Sequence, residues 1–525
     1  MKNIPIIFYS HEDREYLNAP VNVSLPLSKG MIRDIDKLAI LNEKNEQIPV
    51  QAKLLALWSD NSIKWLMLDF FVSTSSASIA KFNLVECNGV PEQEQGINSF
   101  IGNDFISIDT GTTTYCMDKN KFRPFNKVVK DGVDVINGSL SAMVLIDENG
   151  AAHEPVIDSI GIETKGKIRT TVRAEGSFNY KGKRSISFFS SIQFYYLKSF
   201  VKISLTIRNP NAAEHPGGLW DIGDKGSFLF KELSFSISPN TGKESKIHYK
   251  SDINSGFAEA NSNLLSIYQD SSGGENWKST NHIDRFSEIP LKFKGYKVFD
   301  GEKIREEGLR ATPLIHIGNR QAGISAGIDK FWQNFPKELS VKDNTLEISL
   351  FPKRFSGLHE LQGGEQKTHT LFLDFSGDPT ALNWVHSPLI PVLSPEVYEQ
   401  SGAIPYFSAN TDAKYDEIIQ TAVSGANSFF SRREIIDEYG WRNFGEIYAD
   451  HEAIGYKGPA PLISHYNNQY DLIYSAIRQF AAKSDPAWFK LMDDLARHVI
   501  DIDIYHTDKD RDEFNGGLFW HTNHY

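Results

Sequence analysis

Eight consecutive residues, Ser464-His465-Tyr466-Asn467-Asn468-Gln469-Tyr470-Asp471, mix side chains suited to proton transfer with side chains suited to holding an anion. They open a stretch whose apolar residues recur at helical spacing. Asn467 and Asn468 therefore fall near a helix N-terminus, where free N–H groups and the helix dipole favour a carboxylate. His465 and Tyr466 beside them are general-base and general-acid types. The same residues also suit a plain helix start, with two Asn caps and a surface His. A second dense stretch, 438–452, carries Trp441, Arg442, Glu446, Asp450, His451 and Glu452. Further on, His498, Asp501, Asp503, His506 and Asp508 include metal-ligand types, but their position at a helix end reads more simply as solvated charge. His521 and His524 lie in an aromatic Gly-Gly stretch that reads as a pocket-lining loop.

Three further Gly-Gly stretches carry chemistry-bearing residues. Residues 209–227 hold Trp220 with two Asp, residues 268–285 hold Trp277, His282 and Arg285, and residues 360–369 hold Lys367 and His369. Each alone is a turn between strands. Together they predict loops gathered by a rigid scaffold around one cleft that faces residues 438–470. No phosphate-binding loop, dinucleotide fingerprint, HExxH or nucleophile elbow occurs.

The elements that must position these residues divide by period. Residues 1–90 alternate apolar and polar side chains between turns, as in Asn18–Leu25, Val50–Trp58 and Ile63–Val72, which predicts a small all-β barrel. A Gln/Glu/Gly/Pro-rich linker covers Asn88–Ser99. Residues 100–385 stay on a period of two. Their long runs Ile168–Tyr180, Ser185–Tyr196 and Ser199–Arg208 predict a large antiparallel sandwich. From about residue 400 the period becomes helical. One stripe runs from Tyr415 to Phe430 with Asn410 or Thr411 as its cap, a second from Tyr470 to Ala481, and a third follows the cap Asp485 and Pro486. Helix is expected to begin between 405 and 416.

The 525 residues carry a formal charge of −12, which argues against a nucleic-acid partner but leaves room for a local cationic pocket. No apolar run is long enough for a membrane helix. Two cysteines make no disulfide framework. The N-terminus lacks a signal-peptide pattern, so the expected compartment is the cytoplasm, or the periplasm or exterior if a leader precedes Met1. The 34 Phe, 20 Tyr and 9 Trp suit stacking on sugar rings and equally suit β cores.

Four motifs sharpen this reading: Trp58-Ser59-Asp60-Asn61-Ser62-Ile63-Lys64-Trp65, Gly218-Leu219-Trp220-Asp221-Ile222-Gly223-Asp224, Ser271-Ser272-Gly273-Gly274-Glu275-Asn276-Trp277 and Phe514-Asn515-Gly516-Gly517-Leu518-Phe519-Trp520-His521-Thr522. They resemble the exo-rhamnogalacturonan lyase-like proteins of polysaccharide lyase family 26. The resemblance implies a small N-terminal swapped-hairpin (RIFT-type) β-barrel, a central antiparallel β-sandwich and a C-terminal α/α toroid. Three helices are few for a toroid, so the ring is expected to continue past Tyr525, and the 525 residues alone to be unstable in their helical part and weakly active or inactive. The implied reaction is β-elimination at a uronic acid in an acidic oligosaccharide or polysaccharide. One group neutralises the carboxylate, a base takes the C5 proton, and an acid serves the leaving oxygen. His465, Tyr466 and His521 supply acid–base types. Arg442, Asn467 and Asn468 suit the carboxylate, a task that a divalent cation can also perform; no other cofactor is expected. Trp441, Trp220, His282, Arg285, Lys367 and His524 are the remaining expected substrate contacts. Two alternatives stay open. An inverting hydrolase would use two of Glu446, Asp450 and Glu452 set about 6.5–9.5 Å apart, and a binding protein would use the same surface without turnover.

Overall fold

The computed structural model describes residues 3–10, 14–87, 95–180, 183–214, 223–241, 245–319, 322–410, 412–448, 468 and 470–518. Every strand pair among them is antiparallel, and every α-helix among them lies after residue 394. The β-then-α order read from the change of period therefore holds. No helix among the described residues is long and apolar enough to cross a membrane.

The N-terminal strands follow the alternation that predicted them. Tyr16–Pro26 pairs with Ile63–Thr74, which also pairs with Gln51–Leu57. Ile4–Tyr9 and Leu38–Leu41 flank Ile79–Glu86 in a second sheet. Inward residues Phe8, Leu25, Leu68, Phe70 and Phe82 fill the space between the sheets. The Trp58–Trp65 motif is a hairpin turn: Asn61 takes φ 63°, and the Asp60 carboxylate accepts from both Ser62 N (3.1 Å) and Ser62 Oγ (2.6 Å). Asn tolerates this left-handed backbone because its short polar side chain bonds locally.

Two nine-stranded antiparallel sheets, counted among the described residues, make the sandwich. One carries Arg169–Tyr180, Lys183–Tyr195, Phe200–Arg208 and Gln366–Asp374 as successive neighbours. The other contains Phe228–Ile237, Leu264–Gln269, Lys337–Lys342 and Thr345–Phe351. Between them lies a continuous apolar core that includes Phe188, Phe194, Phe230, Phe235 and Phe351, which is where much of the aromatic content is used. The barrel is pinned to the sandwich by Arg169, whose guanidinium grips Asp69 through two bonds of 2.9 and 3.0 Å.

The chain then passes back to the barrel. Pro391–Val392 adds a short strand beside Ile4–Tyr9 before the helices begin. Helix α1 spans Pro395–Ser401, ten residues earlier than the sequence suggested. Seven residues are too few to display a helical period, although Ser394-Pro395 is a helix-start signal. The stripe expected to run unbroken from Tyr415 to Phe430 is two helices. Helix α2 (Ala413–Gln420) is capped by Asp412 rather than by Asn410 or Thr411, and α3 (Phe429–Ile436) by Ser428. The turn between them passes through Gly425 at φ 85°. Tyr415 and Ile418 are each 67% exposed, so this part of the stripe is not core. The later expectations fit better. Helix α4 is Leu472–Lys483, and α5 (Pro486–His498) starts from the predicted Asp485 cap. Ala476, Phe480, Trp488, Leu491 and Leu495 pack these two together.

Asp494 on α5 joins helices and sandwich. Its carboxylate, fully buried, accepts from Lys330 Nζ at 3.0 Å and from Arg433 of α3 at 2.9 Å. Burial alone would raise its pKa, but the two cations outweigh it and hold the carboxyl below its ordinary 3.8. A depressed folded pKa contributes stability that is present above the unfolded value and lost as pH falls through the folded one. Asp494→Ala should cost about 3–5 kcal/mol by stranding Arg433 and Lys330, read by denaturant unfolding at neutral pH. The loss should shrink in acid below about pH 4, where the wild-type carboxylate itself takes up a proton.

Candidate functional site

Strand pairing at one end of the sandwich gathers the loops. Phe200–Arg208 runs beside Gln366–Asp374, so the loop after Arg208 and the loop before Gln366 leave the sheet together. Asn209 N bonds Glu365 O (3.0 Å), Gly364 N returns to Asn209 O (2.9 Å), and the buried Asn209 side chain holds Gly226 O and Leu361 O. Leu264–Gln269 runs beside Lys337–Lys342, so the loop after Gln269 emerges next to residues 330–336. Asp270 shapes that loop by accepting from Lys292 N and Phe293 N, at 2.6 and 2.9 Å.

The segment leaving α3 lies across these loops. Asp437 ends α3 in the left-handed region (φ 55°), which turns the chain back onto the sandwich. Gly440 N and Trp441 N then bond the carbonyls of Gln333 and Phe335. Asn443 Nδ2 donates to Asn281 O at 2.7 Å. Arg442 forms a fork with Glu365 (2.8 and 3.2 Å) and also donates to Glu360 O. The Glu360 carboxylate accepts from Gly223 N and Ser227 Oγ, each at 2.7 Å. Thus the loops at 268–285 and 360–369 meet residues 437–443, as the sequence led us to expect, whereas residues 223–227 reach that segment only through Glu360. Residues 215–222, most of the remaining expected loop, lie outside the described residues.

The result is an open cleft whose walls include His282, Arg285, Phe286, Phe335, Tyr439 and Arg442. Asp437, fully buried, accepts from Ser272 Oγ at 2.6 Å and faces His282 Nε2 at 2.7 Å, so the imidazole is held by a carboxylate at one nitrogen. Gly274 permits this: a Cβ there would stand 2.7 Å from Asp437 Oδ2. Arg285 has a different character. Its Nη2 reaches only Gly223 O, at 3.5 Å, and among the described residues no carboxylate pairs with it. Phe286 beside it is 70% exposed. His359 lies below, buried and pushed down to about 3 mainly by desolvation, and is therefore neutral. An aligned imidazole, an uncommitted guanidinium and an exposed aromatic face can together move a proton, hold a carboxylate and support a sugar ring.

The expected site residues divide. His282 and Arg285 line the cleft. Arg442 also reaches it, but its guanidinium is already neutralised by Glu365, whose charge raises its pKa against the opposing effect of burial. It fastens the 360–365 loop rather than receiving a substrate carboxylate. Trp441 also lines the cleft; it is 8% exposed and packs edge-on against Phe351 of the sandwich core, 5.2 Å between centroids, which anchors its ring. Lys367 is 4% exposed, with Nζ 4.0 Å from Asp501; its strand position turns it under the helices and away from the cleft. Asn468 takes φ 58° and accepts from Ile473 N, while Asp471 is the cap of α4; Asn468 thus shapes the turn into the helix. His465, Tyr466, Asn467, Trp220, His521 and His524 lie outside the described residues, as do Asp450 and Glu452. Asp437, Ser272 and Glu365 escaped sequence reasoning. Ser272 and Glu365 sat inside stretches already singled out, whereas Asp437 stands one residue before the dense stretch that begins at Glu438.

The 498–508 group is not a solvated helix end. His498, Asp501 and Asp503 are buried, Asp501 accepting from Thr368 N (2.9 Å) and Thr368 Oγ1 (2.8 Å). His506 meets Ile500 O, and Asp508 is exposed. Glu446, His498 and Asp503 form the one group among the described residues with metal-ligand types in register. Burial opposes charge on His498, yet the two carboxylates raise it to about 10.

Comparison with known proteins places the N-terminal domain. Residues 9–83 match the PcRGLX-like N-terminal RIFT barrel domain. Over 93% of its length the chain is 20% identical to the uncharacterized protein YetA of Bacillus subtilis (strain 168), and it spans 64% of that relative. Among solved structures, an alpha-mannosidase from Enterococcus faecalis V583 aligns with 75% of this chain and 46% of its own, at 10% identity and a TM-score of 0.39. A putative aldose 1-epimerase from Escherichia coli K12 aligns with 53% of this chain and 98% of its own, at 9% identity and a TM-score of 0.27.

The loop assembly carries its own prediction. Glu365→Ala leaves the Arg442 guanidinium buried without its partner, and should cost about 3–5 kcal/mol in denaturant unfolding. Arg442→Lys retains the charge but not the fork, and should lose less than Glu365→Ala. Equal stability of all three proteins would show that the fork does not hold the cleft together.

Proposed function

We propose that this protein is a polysaccharide lyase that cleaves uronic-acid-containing oligosaccharides of the rhamnogalacturonan type by β-elimination, acting from a chain end, with the helical segment as the opening of an α/α toroid. The observation that carries the reading is the cleft wall in which Arg285, without a carboxylate partner among the described residues, stands near an imidazole held by Asp437. The PcRGLX-like barrel at residues 9–83 supports the choice of substrate class.

β-Elimination needs the C5 proton made acidic. In this reading Arg285 binds the uronate carboxylate and withdraws charge, so that negative charge developing on removal of the proton is spread onto a paired group. His282 takes the C5 proton, and the resulting imidazolium is stabilised by Asp437 at the opposite nitrogen. Electrons from the C5–H bond form the C4–C5 double bond, and the C4–O bond breaks toward the leaving sugar. The proton for that oxygen comes from an acid, the role the sequence reading assigned to Tyr466, His465 or His521. Phe286 offers its face to the ring. Glu446, one of the three carboxylates considered for a hydrolase, is fully buried beside His498 and Asp503, which weighs against that alternative.

The test is an assay of the full-length protein on rhamnogalacturonan and other uronic-acid oligosaccharides. A lyase produces the ultraviolet absorbance of an unsaturated uronide. New reducing ends without that absorbance would mean hydrolysis, and binding without either would mean a non-catalytic protein. His282→Ala should lower kcat by about 10²–10⁴-fold in protein that circular dichroism shows to be folded. Arg285→Ala should lower kcat/KM for uronides, and Arg285→Lys should recover only part of it. Unchanged rates in both positions would remove this wall of the cleft from the mechanism.

A further inference from the structure

We propose that Glu446, His498 and Asp503 form a binding site for one first-row divalent transition-metal ion, with Zn²⁺ or Mn²⁺ the fitting class, which locks the cleft-forming segment 437–447 to the end of α5. The inference stands apart from the lyase reading and does not depend on the substrate.

Three observations carry it. The first is donor geometry. His498 Nε2 lies 3.2 Å from Glu446 Oε2 and 3.4 Å from Asp503 Oδ1, and one ligand atom from each of the three residues lies within 4.8 Å of the others. Metal–nitrogen and metal–oxygen bonds of about 2.0–2.2 Å place tetrahedral ligands about 3.3–3.5 Å apart. The spacing around the imidazole therefore suits a shared ion without rebuilding. The second is burial. All three side chains are fully enclosed, and one imidazole with two carboxylates is a donor set for Zn²⁺ or Mn²⁺, whereas Ca²⁺ and Mg²⁺ prefer oxygen alone.

The third is the backbone. After His498 the helix widens into a π-turn, Val499–Asp503. On an α-helix, residues five apart diverge around the axis; the wider π-turn brings His498 and Asp503 toward one face. Single π-turns are uncommon and recur at functional sites. Opposite them, Gly445 stands so close to α5 that a Cβ would lie 2.2 Å from Asp494 O and 2.9 Å from His498 Cβ. Its φ of 106° also suits glycine, and the approach delivers Glu446 to the site.

The geometry makes the ion a clasp. Glu446 belongs to the segment that carries Asp437 and Arg442 into the cleft, while His498 and Asp503 belong to the end of α5, which is bonded to the sandwich through Asp501.

The test uses the whole chain, purified, stripped with a chelator and then equilibrated with Zn²⁺ or Mn²⁺. Elemental analysis after gel filtration should find one ion per chain, and the melting temperature should rise on loading and fall again with chelator. Asp503→Asn keeps the shape of the site and should weaken binding, measured by calorimetric titration, by more than the ~10–100-fold lost when only an outer partner of a ligand is removed. His498→Ala should abolish stoichiometric binding; circular dichroism checks that it folds, and the wild-type titration decides the matter if it does not. Failure of wild-type protein to retain either ion, with a melting temperature indifferent to metal and chelator, overturns the proposal. So does stoichiometric binding that Asp503→Asn leaves unchanged. Neither result bears on the elimination chemistry, which the sugar assay tests separately.

Discussion

The structure turns on the burial of charged side chains between the helices and the sandwich. Apolar packing joins α4 to α5 and seats Tyr439, Trp441 and Phe444 on the sandwich, and the described helical segment also meets the sandwich through polar groups: Asp494 with Lys330 and Arg433, Asp501 with Thr368, Arg442 with Glu365, and Asp437 with Ser272 and His282. Such contacts add little net stability over a well-packed apolar interface, because each charge must first be desolvated. What they add is direction. A fork between a guanidinium and a carboxylate tolerates little rotation, so the segment 437–444 is held at one register on the sheet ends.

That register is what makes a cleft. The loops after Arg208 and Gln269 and before Gln366 belong to strands whose pairing partners are distant in the chain. Sheet pairing brings their ends together, and the helical segment then closes one side. The same contacts that hold the segment also orient the imidazole on which the proposed chemistry rests. Asp437 is at once the turn that ends α3 and the carboxylate that orients His282. Glu365 ties down Arg442, while Arg285 is left without a partner carboxylate among the described residues. Two arginines on one wall thus differ, one paired with a carboxylate and one without such a partner among the described residues. Residue type cannot separate them; the position of one glutamate does.

Much of the architecture was legible because it rests on local pattern. The runs near 169–208 alternate so regularly that the strands match within two residues, and Asp485-Pro486 marks the start of α5 by its own cap. Reading failed where local pattern is short or misleading. Helix α1 is only seven residues long. The Tyr415–Phe430 stripe keeps its spacing across a break that Gly425 makes in the backbone. Lys367 looked like a ligand to a sugar because cationic residues often are, yet it lies beneath Asp501.

By itself the sequence determined the order of β and α parts, most of the strands, the caps and turns, and three loops rich enough in chemistry to be suspected of meeting. These depend on period, on cap residues and on φ preferences, all of which act within a few residues. Only the tertiary structure decided which of those side chains are free and which are spent. Charge is neutralised, and a group is buried, by partners tens or hundreds of residues away: Glu365 for Arg442, Asp437 for His282, Glu446 for His498. Desolvation and Coulomb interaction depend on distance in space, and the chain alone does not specify that distance until the sheets have paired and the helices have docked.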